Sequence, residues 1–379
     1  MIDFSLTDDQ RQMIDAVDRY LTRRLPSDEI LRRDATHTPP YDLLPELGEL
    51  GVLGIPFAPS YGGLGEKWIT LALVQERMAQ HAYFAASIVS RAVAFGGMSL
   101  MTYGSEAQKE QHLPQLIAGR ALFALALSEP QAGSDATGIT TRAEKVSEGW
   151  RIIGRKTWIS DAAGATHLVL PARTEKGATG SNGISVFLVP RDSAGIHMTT
   201  LDKPGNHCMP SFDIGLDDVF VSDDALLGTQ GEGFGHILST LHYSRSSMAA
   251  AATGCAQAVV NLAINHARER VQFGKPLFSN QVLRHRLADM QMRVDQSRLT
   301  LYHLAWMLSE GMECKRQAAQ AKIIATETLQ FVADHGMQIL ASAGYSMDSH
   351  MQRIWRDARL YSYGEGSNEI QRELISRQL

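Results

Sequence analysis

Apolar residues spaced three and four apart, preceded by Thr7 as a cap and by Asp8 and Asp9, predict a first helix over residues 6–21. A short helix follows over residues 41–50, and Pro59-Ser60-Tyr61-Gly62-Gly63-Leu64-Gly65 reads as a loop whose glycines permit turns that most side chains obstruct. Residues 68–103 and 107–118 carry helical spacing, the second run ending before Gly119. From about residue 121 the texture changes: short apolar segments at 150–154, 166–170 and 184–190 alternate with glycine-rich or polar turns, which favours a compact antiparallel sheet. Helical spacing returns after Gly235, is interrupted at Gly274-Lys275-Pro276, and resumes over 279–308, 312–342 and the last dozen residues. The expected fold class is α+β: a helical unit at 1–120, an antiparallel β unit at 121–229 and a helical unit at 230–379.

Composition narrows the function. With 379 residues, 44% apolar and 20% charged, the chain is an ordinary globular protein with a sizeable core. A formal charge of -5 argues against indiscriminate nucleic-acid binding, which draws on cationic surface. Cys208, Cys255 and Cys314 are widely spaced, forming neither a metal-ligand cluster nor a disulfide framework, so a reducing compartment and no metal are expected. The first ten residues lack the basic and apolar regions of a secretory signal, and no uninterrupted apolar run reaches the roughly 20 residues of a spanning helix. The expectation is a cytoplasmic protein without an integral membrane segment, although a processed organellar protein has the same appearance. A glycine fingerprint after a strand and a phosphate loop are both absent, which weighs against a nicotinamide Rossmann enzyme.

Candidate chemistry begins at Leu125-Ala126-Leu127-Ser128-Glu129-Pro130-Gln131-Ala132-Gly133-Ser134-Asp135. Gly133 permits a tight chain path, while Ser128 and Ser134 present short hydroxyls to a polar ligand. On composition alone, a capped turn before a strand explains the segment better. Four further stretches stand in order behind it: Gly154-Arg155-Lys156-Thr157-Trp158-Ile159-Ser160, Arg270-Val271-Gln272-Phe273-Gly274-Lys275-Pro276-Leu277, Arg356-Asp357-Ala358-Arg359 and Tyr363-Gly364-Glu365-Gly366-Ser367. In these motifs, spread over nearly the whole chain, the sequence resembles the acyl-CoA dehydrogenase family.

That resemblance implies an N-terminal helical domain, a central β domain and a C-terminal four-helix bundle, with FAD held between the sheet, the last bundle and an adjacent subunit. Leu127 and Ser128 are then flavin contacts, and Trp158 and Ser160 lie against the isoalloxazine ring and its phosphate side. Arg270, Gln272 and Phe273 match contacts to the diphosphate or adenosine portion. Gln281, Gln338, Ser367 and Glu369 are further cofactor contacts, at least one reaching from another subunit. Ser134, His242, Arg245, Gly364 and Gly366 fall on the substrate side. Glu365 takes the catalytic position, abstracting the α-proton of an acyl thioester while the flavin accepts the β-hydride. Without the resemblance, Trp158 reads as a sheet-packing residue, Glu365 as a solvent-facing loop residue, and His242 and Arg245 as exposed helix positions.

Some branches of the family carry the catalytic glutamate at the position of Ser244, which favours Glu365 here. Three departures stand out: Ala341-Ser342 where many members have two glycines, Gly364 where an aromatic residue is common, and His242 where an acid often stands. The loss of bulk at Gly364 is expected to widen the acyl pocket or to free the catalytic loop. The implied function is α,β-dehydrogenation of a short- or medium-chain acyl-CoA, with electrons passed to an electron-transfer flavoprotein or its equivalent, in a homotetramer or a homodimer. An acyl carrier protein thioester as substrate, an enoyl-thioester reductase and a non-enzymatic flavoprotein scaffold are the alternatives.

Overall fold

The computed structural model describes residues 5–379; the reading of residues 1–10 as free of a signal falls partly on residues 1–4, outside the described residues. The first helix, α1 (Asp8–Arg24), opens with a reciprocal cap in which Thr7 Oγ1 accepts from Gln10 N and Gln10 Oε1 accepts from Thr7 N. It runs past residue 21 to Arg23 and Arg24, whose charges suit a helix C-terminus. The next helix, α2 (Ser27–Ala35), has no apolar stripe to reveal it and is anchored by Arg33, which pairs with Glu29 at 2.7 Å and Asp42 at 2.6 Å. A short α3 (Leu44–Glu49) follows.

The long helix expected over 68–103 is four pieces: α4 (Trp68–His81), α5 (Tyr83–Val89), a π-helical segment Ser90–Gly97, and α6 (Met98–Tyr103). Ala82 breaks the first junction with extended dihedrals. The π-helical segment ends on two glycines that allow close approach: a Cβ on Gly96 would lie 2.5 Å from Phe123 Cβ, and one on Gly97 2.3 Å from Phe57 Cζ. Helix α7 (Glu106–Ile117) completes the first unit.

The sheet contains β1 (Phe123–Leu125), β2 (Arg142–Val146), β3 (Gly149–Ser160), β4 (His167–Arg173), β5 (Ile184–Pro190), β6 (Ile196–Leu201), β7 (Ser211–Ser222) and β8 (Leu226–Leu227). Its order is β6-β7-β3-β2-β4-β5-β8, with β1 branching from β4. Most neighbours are antiparallel, as expected, but β4 pairs in parallel with β1 and, at Arg142 and Arg173, with β2. Parallel pairing needs a long crossover, which the β2–β3 hairpin supplies between β1 and β4.

Helix α8 (Gly233–Glu269) is the spine of the last unit and packs against α4, α9 (Gln281–Ser309) and α10 (Lys315–Leu340). Between α8 and α9 a two-strand hairpin, β9 (Val271–Gln272) with β10 (Lys275–Pro276), carries the glycine and proline interruption. The short α11 (Ser342–Tyr345) precedes α12 (His350–Ala358) and α13 (Asn368–Ser376), both set against α10. Periodicity did not predict α12, because its buried side mixes Met351, Ile354 and Ala358 with Gln352, Arg353 and Asp357. One apolar core runs through both helical units and a second fills the sheet. Two helical runs, Tyr83–Tyr103 and Gly233–Glu269, are long and apolar enough to cross a bilayer, but 89% and 67% of their most apolar windows are buried inside the protein.

Candidate active site

Glu365 lies in the loop between α12 and α13, where it and Gly366 take consecutive left-handed conformations at φ 59° and 88°. At Gly366 the conformation suits glycine twice over, since a Cβ there would meet Gln371 Nε2 at 2.6 Å. Glu365 bears the backbone strain of a non-glycine residue, and the surrounding groups hold it there. Gln371 Nε2 donates to the carbonyls of Glu365 and Gly366, each at 3.1 Å, and Arg245 Nε donates to the Glu365 carbonyl at 3.3 Å. Lys322, wholly buried on α10, donates to the carbonyls of Ser362 at 3.0 Å and Gly366 at 3.1 Å and to Asn368 Oδ1 at 2.7 Å. Burial pushes the Lys322 ammonium down to about 8, against the Glu365 charge. A lysine within a helical run gives no sequence signal for such a role, and Lys322, Gln371 and Asn368 were not among the expected site residues.

The clamp holds the loop by its backbone and leaves reactive groups uncommitted. Glu365 Oε2 is buried without a hydrogen-bond partner, and no protein acceptor among the described residues engages the Glu365 main-chain N–H. Burial raises the Glu365 carboxyl above its ordinary value; the charge of Arg91, the hydroxyl of Ser244 and the charges of Arg245 and Lys322 oppose that rise. Ser244 on α8 and Glu365 therefore address the same space, although they are far apart in the chain. The Ser244 hydroxyl itself donates to the Leu241 carbonyl at 3.1 Å.

Gly364 does not free this loop. A Cβ there would lie 2.9 Å from Met248 Cε, so the methionine occupies the room next to it, and the clamp fixes the residues that follow. Arg245 is buried, not exposed, and burial lowers its pKa against the Glu365 charge. His242 is half-buried on α8; burial, then the Arg245 and Lys315 charges, hold it down at about 4, so its imidazole is neutral at ordinary pH.

On the sheet, Glu129 and Lys156 form a fully buried pair at 2.8 Å. Lys156 Nζ also reaches the Leu127 carbonyl at 3.3 Å, and Glu129 accepts from Thr140 N at 2.7 Å and Thr141 N at 3.1 Å. Burial by itself raises the Glu129 carboxyl, but the Lys156 charge and these hydrogen bonds outweigh it and hold it at about 2; burial pushes Lys156 down to about 8. The pair fixes the path of Leu127 and Ser128, and Thr157 N donates to the Ser128 carbonyl at 2.9 Å, bringing Ser128 beside Trp158. Trp158 sits at an irregularity in the β3–β7 register with φ 58° and 53% of its surface exposed, so it turns outward instead of packing in the sheet. No hydrogen bond among the described residues engages the hydroxyls of Ser128, Ser160 or Ser134, the last lying exposed on the turn after Pro130.

The remaining positions lie at the surface of this single chain. Arg270 and Gln272 are exposed at the β9–β10 hairpin, Phe273 is fully exposed at φ 52°, and Gln281 and Gln338 are exposed on α9 and α10. No hydrogen bond joins these residues to the Ser128 and Trp158 group. Ala341 ends α10 at φ 51°, a conformation that glycine adopts more readily. Ser367 caps α13, accepting from Ile370 N at 3.4 Å, and Glu369 is exposed on its first turn.

Helices, a mixed sheet and a helical bundle place an unpartnered carboxylate oxygen at a strained, clamped turn, an arrangement that suits an enzyme moving a proton at a sheltered site. The chain belongs to the acyl-CoA dehydrogenase family: the family's N-terminal domain matches residues 7–120, its middle domain 124–219 and its C-terminal domain 231–379. It is 37% identical to the probable acyl-CoA dehydrogenase YngJ of Bacillus subtilis over 100% of both chains. It is 33% identical to glutaryl-CoA dehydrogenase of Desulfococcus multivorans, over 99% of this chain and 97% of that one. The solved butyryl-CoA dehydrogenase of Megasphaera elsdenii superposes with a TM-score of 0.96 at 32% identity, covering 100% of this chain and 99% of the other.

Proposed function

We propose that the chain catalyses FAD-dependent α,β-dehydrogenation of a short- or medium-chain acyl-CoA, with Glu365 as the base. The observation that carries this reading is that one residue offers a buried carboxylate oxygen without a partner and a main-chain N–H without an acceptor. The carboxylate takes the α-proton; the N–H donates to the thioester carbonyl, where negative charge develops. Burial raises the carboxyl pKa and so makes its ionised form a stronger base.

The chain also fits the flavin. An outward-facing indole at Trp158 offers an apolar face for a ring, and the uncommitted hydroxyls of Ser128 and Ser160 offer donors beside it. Bound FAD supplies the acceptor for the β-hydride. Leu127, Ser128, Trp158 and Ser160 form its ring side; Ser367 and Glu369 approach from the α13 end. Arg270, Gln272, Phe273, Gln281 and Gln338 serve the diphosphate and adenosine portion, with exposed side chains that a neighbouring subunit's cofactor would cover. The neutral His242, with Ser134, Arg245, Gly364 and Gly366, borders the thioester arm and acyl chain.

A homotetramer, or a homodimer, would complete this site, and an electron-transfer flavoprotein or an equivalent would be the electron-accepting partner. The three units are divided at residues 1–120, 121–229 and 230–379. The buried, unpaired Cys208, Cys255 and Cys314 support a reducing, cytoplasmic setting. Anaerobic mixing of the flavin-loaded protein with saturated acyl-CoAs should bleach the oxidised flavin band and release trans-2-enoyl-CoA. Absence of bleaching across the series would rule the reading out.

A further inference from the structure

Arg91 has no part in the reading above, and its surroundings are unusual for an arginine. It stands in the π-helical segment Ser90–Gly97 with only 13% of its side chain exposed. Among the described residues its hydrogen-bond acceptor is the sulfur of Met209, a weak one, 3.1 Å from Nη2. Nε is buried with no hydrogen-bond partner, since Asp161 Oδ2 at 3.6 Å is too far to be one. One N–H of the guanidinium fork has thus been taken out of water without an acceptor, and a second meets only a weak one, an arrangement that costs free energy unless something else fills it.

Asp161 does not complete the pairing. It also receives the Tyr41 hydroxyl at 3.2 Å and feels the charge of Lys203, so one carboxylate answers two cations. Burial raises the Asp161 carboxyl to about 6 in spite of the Arg91 charge. Asp357, another acid in this part of the core, is committed to Arg353 at 3.6 Å and to Asn206 N at 2.5 Å. Arg91 and Lys203 therefore share the Asp161 carboxylate, and neither has it to itself.

A chain of contacts leads from Arg91 toward the turn that precedes the candidate base. The Met209 sulfur also receives the hydroxyls of Ser87 at 3.0 Å and Tyr83 at 3.7 Å. The Tyr83 ring packs on Tyr361 with centroids 5.0 Å apart, and Tyr361 lies in the turn that leads into Glu365. The guanidinium charge is felt at the Glu365 carboxyl, and because Coulomb interaction weakens with distance the two groups lie within electrostatic reach of each other. The Phe95 ring, 5.1 Å from the Arg91 carbon, provides an apolar flank.

We propose that Arg91 receives a carboxylate at the far end of a short acyl chain, making the preferred substrate an ω-carboxyacyl thioester, with Asp161 holding the guanidinium in place. An alkyl end in this position would leave Nε buried and unmet, whereas a carboxylate matches the fork with charge-assisted hydrogen bonds. The inference rests on the dehydrogenase reading and names its substrate class.

The test gives the flavin-loaded enzyme short ω-carboxyacyl-CoA esters and, for each, the alkyl isostere in which an isopropyl group replaces the carboxylate. Both kcat/KM and the dissociation constant by titration calorimetry are measured. The wild type should favour the carboxylate form by at least about tenfold in both. Arg91→Met should remove that preference, and Arg91→Lys should keep part of it. Equal or better use of the alkyl isosteres by the wild type overturns the inference and leaves the dehydrogenase reading standing. Turnover of neither series defeats the dehydrogenase reading, and calorimetry then decides on Arg91: a binding preference lost in Arg91→Met supports its role, and equal binding overturns it. If Arg91→Met does not fold, the wild-type comparison together with Arg91→Lys carries the decision.

Discussion

Arg245 directs its Nε at the main-chain carbonyl of Glu365, 3.3 Å away, and not at the carboxylate. An arginine locked onto the carboxylate would have occupied the acceptor that the proposed chemistry requires. Bonded to the carbonyl, it restrains the turn and leaves Oε2 unpartnered. Replacing Glu365 by Gln keeps the volume and the main-chain N–H but removes the proposed base. Turnover of acyl-CoA should fall roughly a hundred- to ten-thousand-fold in the folded, flavin-loaded variant. Unchanged turnover would exclude Glu365 as the base.

The pH profile follows from the same group. As the proposed base Glu365 works ionised, so kcat/KM should fall as pH drops through its pKa, which burial places above the ordinary carboxylate value. The acid limb of the profile should vanish in any residual activity of Glu365→Gln. An acid limb centred at or below the ordinary value would contradict the burial argument.

Stability carries the opposite sign. A carboxyl with a raised folded-state pKa contributes stability that is full below its unfolded value and lost as pH rises through the folded one. At neutral pH the ionised Glu365 therefore weighs against folding, and Glu365→Gln should raise Tm there but not under acid conditions where both states are protonated. Thermal unfolding at two pH values checks this.

Lys322 braces the loop from beneath. Lys322→Met would strip the donor from two buried carbonyls and from Asn368 Oδ1, at a cost of about 2–3 kcal/mol in chemical denaturation. Because it touches no substrate, its kinetic signature should be a loss in kcat larger than any rise in KM. A lowered Tm with unchanged kcat would limit Lys322 to a structural role.

The sheet has its own buried bond. Glu129→Gln leaves Lys156 as an uncompensated charge with no exposure, and should destabilise the fold by about 3–5 kcal/mol. Since Glu129 is held at about 2, the wild-type pair's contribution should disappear only as pH falls from the ordinary carboxylate value toward that point. Flavin retention should weaken with it, because the Leu127 carbonyl and the Ser128 path depend on Lys156. Flavin fluorescence released on dilution measures the second effect.

The helical spacing at 6–21 and 107–118 was legible because a local pattern and a local cap specify it: α1 and α7 both carry reciprocal caps within four residues of chain. Helices α2 and α12 were not legible, since ion pairs with partners outside each helix, Arg33 with Asp42 and Arg356 with Asp34, hold them. The break of 68–103 at Ala82 and the π-helical turn escaped for a related reason: Gly96 and Gly97 matter through Phe123 and Phe57, which no window around them contains.

By itself the sequence determined the order of helical, sheet and helical units and the motifs that carry the family resemblance, because spacing, capping and turn chemistry act over a few residues. Only the tertiary structure decided that Arg245, Lys322 and Gln371 close on one strained turn, that Met248 occupies the room beside Gly364, and that the Arg91 Nε lies buried without a partner. The physical reason is that burial and charge balance belong to groups brought together from distant parts of the chain, and their sign and size do not exist until the chain has folded.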